Sequence, residues 1–252
     1  MALGIWLTTR GALVRASLVL TVLGALGSIA AAVATRGTPT LEALPDLASM
    51  ALTWGAGTTL AFGGAFRALR HDRERGVVAL VRARGVGVLS YSGARVGGLV
   101  AILALAMGGA TLVAGLAATA VAGSQVQAVA RSSVAAFVYA LAFAATLGPV
   151  AMATLGGRSR AGGYLGLLTV LALPELLAPW TSALFPRGWR ELTSIPSALE
   201  ALRAAVLSPG SAAALHGARA AVALVAVVAA SLLFVHARVS LDASRAEATG
   251  DA

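Results

Sequence analysis

The chain has 252 residues, of which 58% are hydrophobic and 12% charged, with a mean hydropathy of +0.86. Soluble domains carry about 25% charged residues, so this composition predicts a polytopic helical membrane protein. All 19 basic residues are Arg, and the formal net charge is +9. These Arg residues lie mostly beside apolar segments and form no basic helix with interleaved aromatics, which argues against a nucleic-acid partner. The absence of Cys excludes disulfides, thiol catalysis and thiolate metal sites.

Six apolar segments can serve as membrane spans, since about 20 helical residues cross the hydrocarbon core. They lie at about 16–34, 47–66, 96–122, 133–155, 164–184 and 220–235. The first segment could instead belong to a cleaved signal peptide with Ala32-Val33-Ala34 as its cleavage site. An uncleaved helix agrees better with the many spans that follow. We therefore predict an all-α fold with one transmembrane domain covering 1–252.

The distribution of Arg predicts the orientation of these spans, because short loops rich in Arg stay in the cytoplasm. The segment between spans 2 and 3 holds the densest group of Arg residues and should be internal, as should the short turn GGRSRAGG at 156–163. The resulting topology has six spans with both termini inside. Thirteen Arg residues then fall on inner segments, at positions 10, 15, 67, 70, 73, 75, 82, 84, 95, 158, 160, 238 and 245.

The fifth span contains Pro174, Glu175 and Pro179, an irregular pattern for a membrane helix. A charge at the bilayer centre costs about 3 kcal/mol, so Glu175 needs a partner, a proton or water. Pro174 and Glu175 could line a translocation path or an outer gate. Alternatively, Pro174 breaks the helix and Glu175 has a purely structural role in a water-exposed turn. Beyond this span, residues 195–207 predict a short amphipathic helix at the outer face.

The loop after span 2 combines charge with apolar helical spacing. A charged group, Asp72-Arg73-Glu74-Arg75-Gly76, is followed by Val77, Leu80 and Val81, which share one face of a helical wheel. This pattern predicts a helix that begins with the charged group and lies along the inner membrane surface. The alternative is a solvated basic loop that only fixes topology.

This arrangement resembles that of the type-2 ATP-binding-cassette (ABC) permeases. Those proteins place an acidic-basic cluster, a Gly, an apolar helix and a turn between spans 2 and 3, and a small-basic pair at the start of span 3. The matching positions here are Glu74-Arg75-Gly76, Val77 to Val81, Gly85 to Val88, and Ala94-Arg95. Six spans with inner termini and an outer helix before the last span also agree with that family.

The resemblance implies a coupling helix that docks onto a separate ATPase subunit. Its residues here would be Asp72, Arg73, Glu74, Arg75, Gly76, Val77, Leu80 and Val81. It also implies a second permease copy or homologue, surrounding lipid, a bacterial inner-membrane location, and ATP and Mg²⁺ held by the partner subunit rather than by this chain. The chain lacks the longer N-terminal helix and the large outer domain of many such permeases, which leaves the subfamily open. Its compact size, GGRSRAGG turn and Pro-containing fifth span are also similar to the haem-exporter permease of cytochrome c maturation.

The motifs that are missing argue against an enzyme. A Walker A loop needs Lys, which the chain lacks, and neither G-x-S-x-G nor H-E-x-x-H occurs. The three His residues, His71, His216 and His236, are far apart and show no metal-ligand spacing. We therefore predict no catalytic residues, metal site or cofactor in this chain. Two alternatives to an ABC permease stay open, an ATP-independent secondary transporter and a membrane scaffold subunit.

Overall fold

The computed structural model describes residues 11–74, 76–157, 159–181, 190–208 and 210–248. These ranges contain helices and no strand. The helices are α1 Ala12–Ala34, α2 Thr40–Leu52, α3 Thr58–Glu74, α4 Val77–Ala83, α5 Val88–Leu103, α6 Gly109–Val121, α7 Val126–Leu155, α8 Arg160–Leu171, α9 Leu173–Thr181, α10 Arg190–Thr193, α11 Ile195–Leu207 and α12 Ser211–Ala248. Two five-residue π-helical turns, Thr53–Gly57 and Ala104–Gly108, connect α2 to α3 and α5 to α6.

Five helical segments in the described ranges are long and apolar enough to cross a membrane. They are Ala12–Ala34, Val88–Val121, Gly123–Leu155, Ala161–Trp180 and Ala212–Ser244. An all-helical, multi-pass membrane protein is thus what the structure supports. The predicted second span, 47–66, is helical from end to end, but it is not one of the five. Its middle carries Thr53, Trp54, Thr58 and Thr59, which lower its hydropathy.

Helix α7 forms the centre of the bundle and contacts helices on every side of it, namely α2, α3, α5, α6, α8, α11 and α12. It is buried along most of its length and contributes Tyr139, Phe143 and Leu147 to the main core. Small residues bring the neighbours close, as lipid provides no hydrophobic drive between helices. A Cβ on Gly148 would lie 2.7 Å from a methyl of Val100 on α5, so only glycine permits this approach.

The ends of the helices gather into two groups. At the first, which we call the basic end, Leu13 of α1 packs on α3, and Leu69 of α3 lies beside Gly156 after α7. The guanidinium of Arg238 on α12 also reaches this end and donates to the carbonyl of Ala153. At the other, the Asp46 end, α1, α2, α6 and α7 meet in a small apolar cluster consisting of Ala32, Leu41, Ala118, Ala122 and Val129. Leu13, Leu69, Gly156 and Arg238 therefore lie towards the same end of the bundle.

Several helix bounds differ from those expected from the sequence. The last helix begins at Ser211, nine residues before the predicted start at 220, because its first turns pack on α11 and need no bilayer contact. The fifth predicted span is divided at Ala172 into α8 and α9. Pro149 lies within the unbroken helix α7. The predicted amphipathic helix at 195–207 is present with the same bounds, as α11.

Candidate functional site

The loop between the second and third predicted spans forms a helical hairpin with a short helix at its tip. Helix α3 runs on to Glu74, and the chain then reverses at Gly76, whose φ is +64°. An L side chain rarely adopts this left-handed conformation, so glycine is required where the helix ends. Asp72 and Glu74 therefore finish the preceding helix, whereas the sequence analysis expected them to start the short one. The short helix is α4, and a second left-handed glycine, Gly85, follows it.

Helix α4 presents one apolar face inward and one outward. Val77 and Val81 are half-buried and pack against the main core. Leu80 points away from it and is 56% exposed. Glu74 and Gly76 are also exposed at this turn, whereas Arg75 and the side chain of Arg73 lie outside the described part of the chain. The tip of the hairpin thus combines an anchored face with an accessible apolar side chain.

A buried polar cluster joins α3 to α5 and consists of Asp72, Tyr91 and Arg95. Tyr91 and Arg95 are one helical turn apart on α5, and both donate hydrogen bonds to Oδ2 of Asp72 on α3. The side chains of Asp72 and Arg95 are each 7% exposed. The Arg95 guanidinium also lies 5.8 Å from the centre of the Tyr91 ring. This ion pair joins the end of the helix before the hairpin to the start of the helix after it.

The arrangement stiffens the hairpin. Breaking a buried ion pair by removing one partner costs about 3–5 kcal/mol, because the other charge stays buried without compensation. The two helices therefore cannot separate at this level without a large penalty. The ion pair thus joins α3 to α5, and both of these helices contact the central helix α7.

A second charged cluster lies at the Asp46 end. Arg203 of α11 donates to Oδ2 of Asp46 on α2 and to both carboxylate oxygens of Glu200, with Nε 2.9 Å from Glu200 Oε2. Burial raises the pKa of the Glu200 carboxyl and lowers that of the Arg203 guanidinium. The cluster holds the amphipathic helix against the start of the second predicted span.

Glu175 and Pro174, the predicted path or gate residues, lie in the first turn of α9. Both Ser194 and Ser197 donate hydrogen bonds to Glu175 Oε1, and the Ser197 oxygen is 2.6 Å away. Ser194 is the N-cap of α11, so the carboxylate lies near the positive end of that helix dipole. These contacts favour the structural interpretation of Glu175, in which it fixes the start of α11.

Sequence reasoning did not identify Tyr91, Asp46 or Arg203 as parts of a site. Tyr91 precedes Arg95 by four residues, a spacing that places both on one helix face and could have signalled a shared partner. The pairing of Asp46 with Arg203 has no local signal, since 157 residues separate them. Within the described residues, no group of three or more His, Asp or Glu side chains could hold a metal ion.

Comparison of the chain with protein-family models, curated proteins and solved structures found no match.

Proposed function

We propose that this chain is the membrane-spanning permease subunit of an ABC exporter, driven by a separate ATPase subunit. Two such subunits, identical or homologous, enclose the translocation path in the bacterial inner membrane. The partner binds ATP and Mg²⁺, and this chain performs no chemistry of its own. The proposal rests mainly on one observation: Leu80 is exposed at the tip of a hairpin whose flanking helices are joined by a buried ion pair.

That observation supports the proposal because a coupling element needs two properties. It needs an accessible surface for the partner, and Leu80 and Val86 provide apolar side chains exposed by 56% and 41%. It also needs a stiff connection to the spans, and the Asp72–Arg95 pair provides one. A solvated loop that only fixes topology would need neither. In the proposed site, Asp72 connects the hairpin to the spans, while Leu80 and its exposed neighbours meet the ATPase.

The mechanism is alternating access between two states of the permease pair. ATP binding closes the ATPase subunits and displaces α4, and the ion pair carries that displacement into α3 and α5. A ligand shifts such an equilibrium only by its differential affinity for the two states. The ATPase therefore acts by binding the hairpin more tightly in one of them.

The proposal includes six spans with both termini in the cytoplasm. The sixth crossing is the continuous helical stretch from Thr40 to Glu74, which surrounds the first π-helical turn. Its moderate hydropathy agrees with its interior position, since Leu52, Leu60 and Ala61 face protein and are buried. A helix shielded by its neighbours needs less apolar surface than one that faces lipid. The basic end would then face the cytoplasm, as the positive-inside rule expects.

The test is affinity purification of the tagged chain in mild detergent, with mass spectrometry of the proteins that accompany it. Wild type should recover an ATP-binding ABC subunit, and Leu80→Ser should lose it. Asp72 is unsuitable for this purpose, because its replacement would disturb folding. The matched control is Leu192→Ser, which changes an exposed leucine of α10 at a distance from the hairpin and should retain the subunit.

Either of two outcomes would contradict the proposal. If a well-folded wild-type preparation recovers no ATPase, an ATP-independent secondary transporter or a scaffold subunit is favoured instead. If Leu80→Ser retains the ATPase as wild type does, the coupling surface lies elsewhere. The identity of a recovered ATPase and its operon partners would also separate a general exporter from a haem-exporter subtype.

A further inference from the structure

A cavity of about 550 Å³, which is open to the outside of the bundle, lies between helices α7, α8 and α12, towards the basic end. Its walls are mostly hydrocarbon and include Val150, Val170, Val227 and Phe234. This volume is within the range of about 300–1,000 Å³ that small-molecule pockets have. Nothing in the proposed coupling mechanism uses it.

The one charged group in the described lining is Arg238, the last pocket residue along α12. Its Nη1 donates to the carbonyl of Ala153 at 3.0 Å, and its guanidinium carbon lies 4.6 Å from the centre of the Phe234 ring. These contacts orient the guanidinium at one end of an apolar cavity. A guanidinium carries five N–H donors in a planar fork that matches a phosphate group. The cavity thus combines an apolar channel with a terminal anion-binding group.

The surroundings of the cavity indicate which molecule would enter it. The helices α8 and α12 are peripheral, and they expose Leu165, Leu168 and Leu233 on the outside of the bundle. In a membrane, such a surface faces acyl chains. Arg238 lies against the turn after α7, where a Cβ on Gly157 would be 3.3 Å from Nη1, and its guanidinium is the one charged group of the described lining. An anionic headgroup is therefore favoured over a zwitterionic one.

We propose that this cavity is a binding site for an anionic glycerophospholipid, with an acyl chain between α7, α8 and α12 and the phosphate on Arg238. Basic pockets between membrane helices on the cytoplasmic side suit such headgroups. The site holds a lipid of the surrounding membrane, and it does not depend on the chain being an ABC permease. The outcome of the lipid-binding experiment is therefore independent of whether the proposed function is correct.

The experiment is native mass spectrometry of the purified chain, titrated with phosphatidylglycerol or with phosphatidylcholine of the same acyl chains. Wild type should bind phosphatidylglycerol about tenfold more tightly, since both lipids carry the phosphate but only phosphatidylcholine adds a trimethylammonium, which the Arg238 guanidinium repels. Arg238→Gln should abolish this preference. Ala230→Phe, which fills the cavity from an exposed position on α12, should weaken both lipids. The matched control is Arg219→Gln, an exposed Arg on the same helix, which should behave as wild type.

A competition experiment distinguishes binding of a whole lipid from binding of its headgroup alone. The comparison of the two lipids distinguishes a specific site from non-specific binding to the protein surface. Glycerol 3-phosphate, which has the headgroup chemistry without the chains, should not displace the bound lipid. Displacement at equal concentration would overturn the assignment to a lipid. Equal binding of both lipids by wild type, or a preference that survives Arg238→Gln, would overturn the site. Size-exclusion chromatography of each variant confirms that a lost preference does not come from unfolding.

Discussion

Two charged clusters among the described residues hold different parts of the bundle together. Asp72 and Arg95 pair across a hairpin of 23 residues, and each side chain is only 7% exposed. Arg203 and Asp46 pair across 157 residues, and their side chains are 13% and 18% exposed. The first cluster is local and buried, whereas the second connects distant parts of the sequence and is closer to solvent.

The difference is between a pair that joins two neighbouring helices and a pair that attaches a helix distant in sequence. The Asp72–Arg95 pair joins two helices that the chain already places side by side, so its main effect is to make them move together. The Arg203–Asp46 pair has no chain connection to support it and instead attaches α11 to α2. We therefore expect loss of the first pair to lower the free energy of unfolding more. Loss of the second pair should mainly weaken the attachment of α11 to α2.

The largest effect should follow from Asp72→Asn. The variant leaves the Arg95 charge buried without compensation, which costs about 3–5 kcal/mol, and the midpoint of thermal unfolding in detergent should fall strongly. The control is the double variant Asp72→Leu with Arg95→Met, which replaces the pair by apolar side chains of similar size and should recover most of the loss. If Asp72→Asn unfolded at the same midpoint as wild type, the result would mean that water reaches the Arg95 charge.

The helical nature of the fold could be predicted from the sequence much better than these clusters could. Apolar runs mark the helices because lipid-facing surface is nearly all hydrocarbon, and α1 and α12 were located in this way. Hydropathy is less informative for the stretch around Trp54, which donates to the Tyr139 hydroxyl at 2.6 Å in the interior. A helix that faces protein can carry such polar groups without contact with lipid.

The pairing of charges could not be predicted because it depends on how the helices pack. The sequence pattern placed Gly76 within the predicted short helix, but its left-handed conformation, which ends α3 at Glu74, is a property of the folded chain. Once α3 extends that far, Asp72 comes into register with Tyr91 and Arg95. The partners of Glu175 were equally hidden, since Ser194 becomes an N-cap only when α11 forms.

An intermediate effect should follow from Arg203→Leu at the Asp46 end. A hydrogen bond to a charged group contributes about 1.5–3 kcal/mol, and the loss should lie at the lower part of that range because Glu200 is 45% exposed and regains water. Thermal unfolding measures it, with the exposed Arg219→Gln as control. A loss equal to that of Asp72→Asn would remove the distinction between the clusters.

Gly217→Ala tests the same attachment through packing. A Cβ at this position would lie 2.6 Å from the Cβ of Ala205, so α11 must shift away from α12. Overpacking of this kind costs about 1–3 kcal/mol. Gly93→Ala, on α5 with open space around it, is the control and should gain up to about 1 kcal/mol from helix propensity. The two Asp46-end variants should be non-additive when combined, because both release α11.

The smallest effect on stability should follow from Glu175→Gln. The amide oxygen can still accept hydrogen bonds from Ser194 and Ser197, and the loss of the charge near the positive end of the α11 dipole should cost about 0.3–1 kcal/mol. If Glu175 only anchors α11 and the proposed complex with an ATPase subunit is recovered, the ATPase activity of that complex should be that of wild type. Ser197→Ala, which removes one donor and keeps the charge, should cause a similar small shift in the unfolding midpoint. A normal midpoint with lost activity in Glu175→Gln alone would instead assign Glu175 to the translocation path, as its position in the fifth predicted span first indicated.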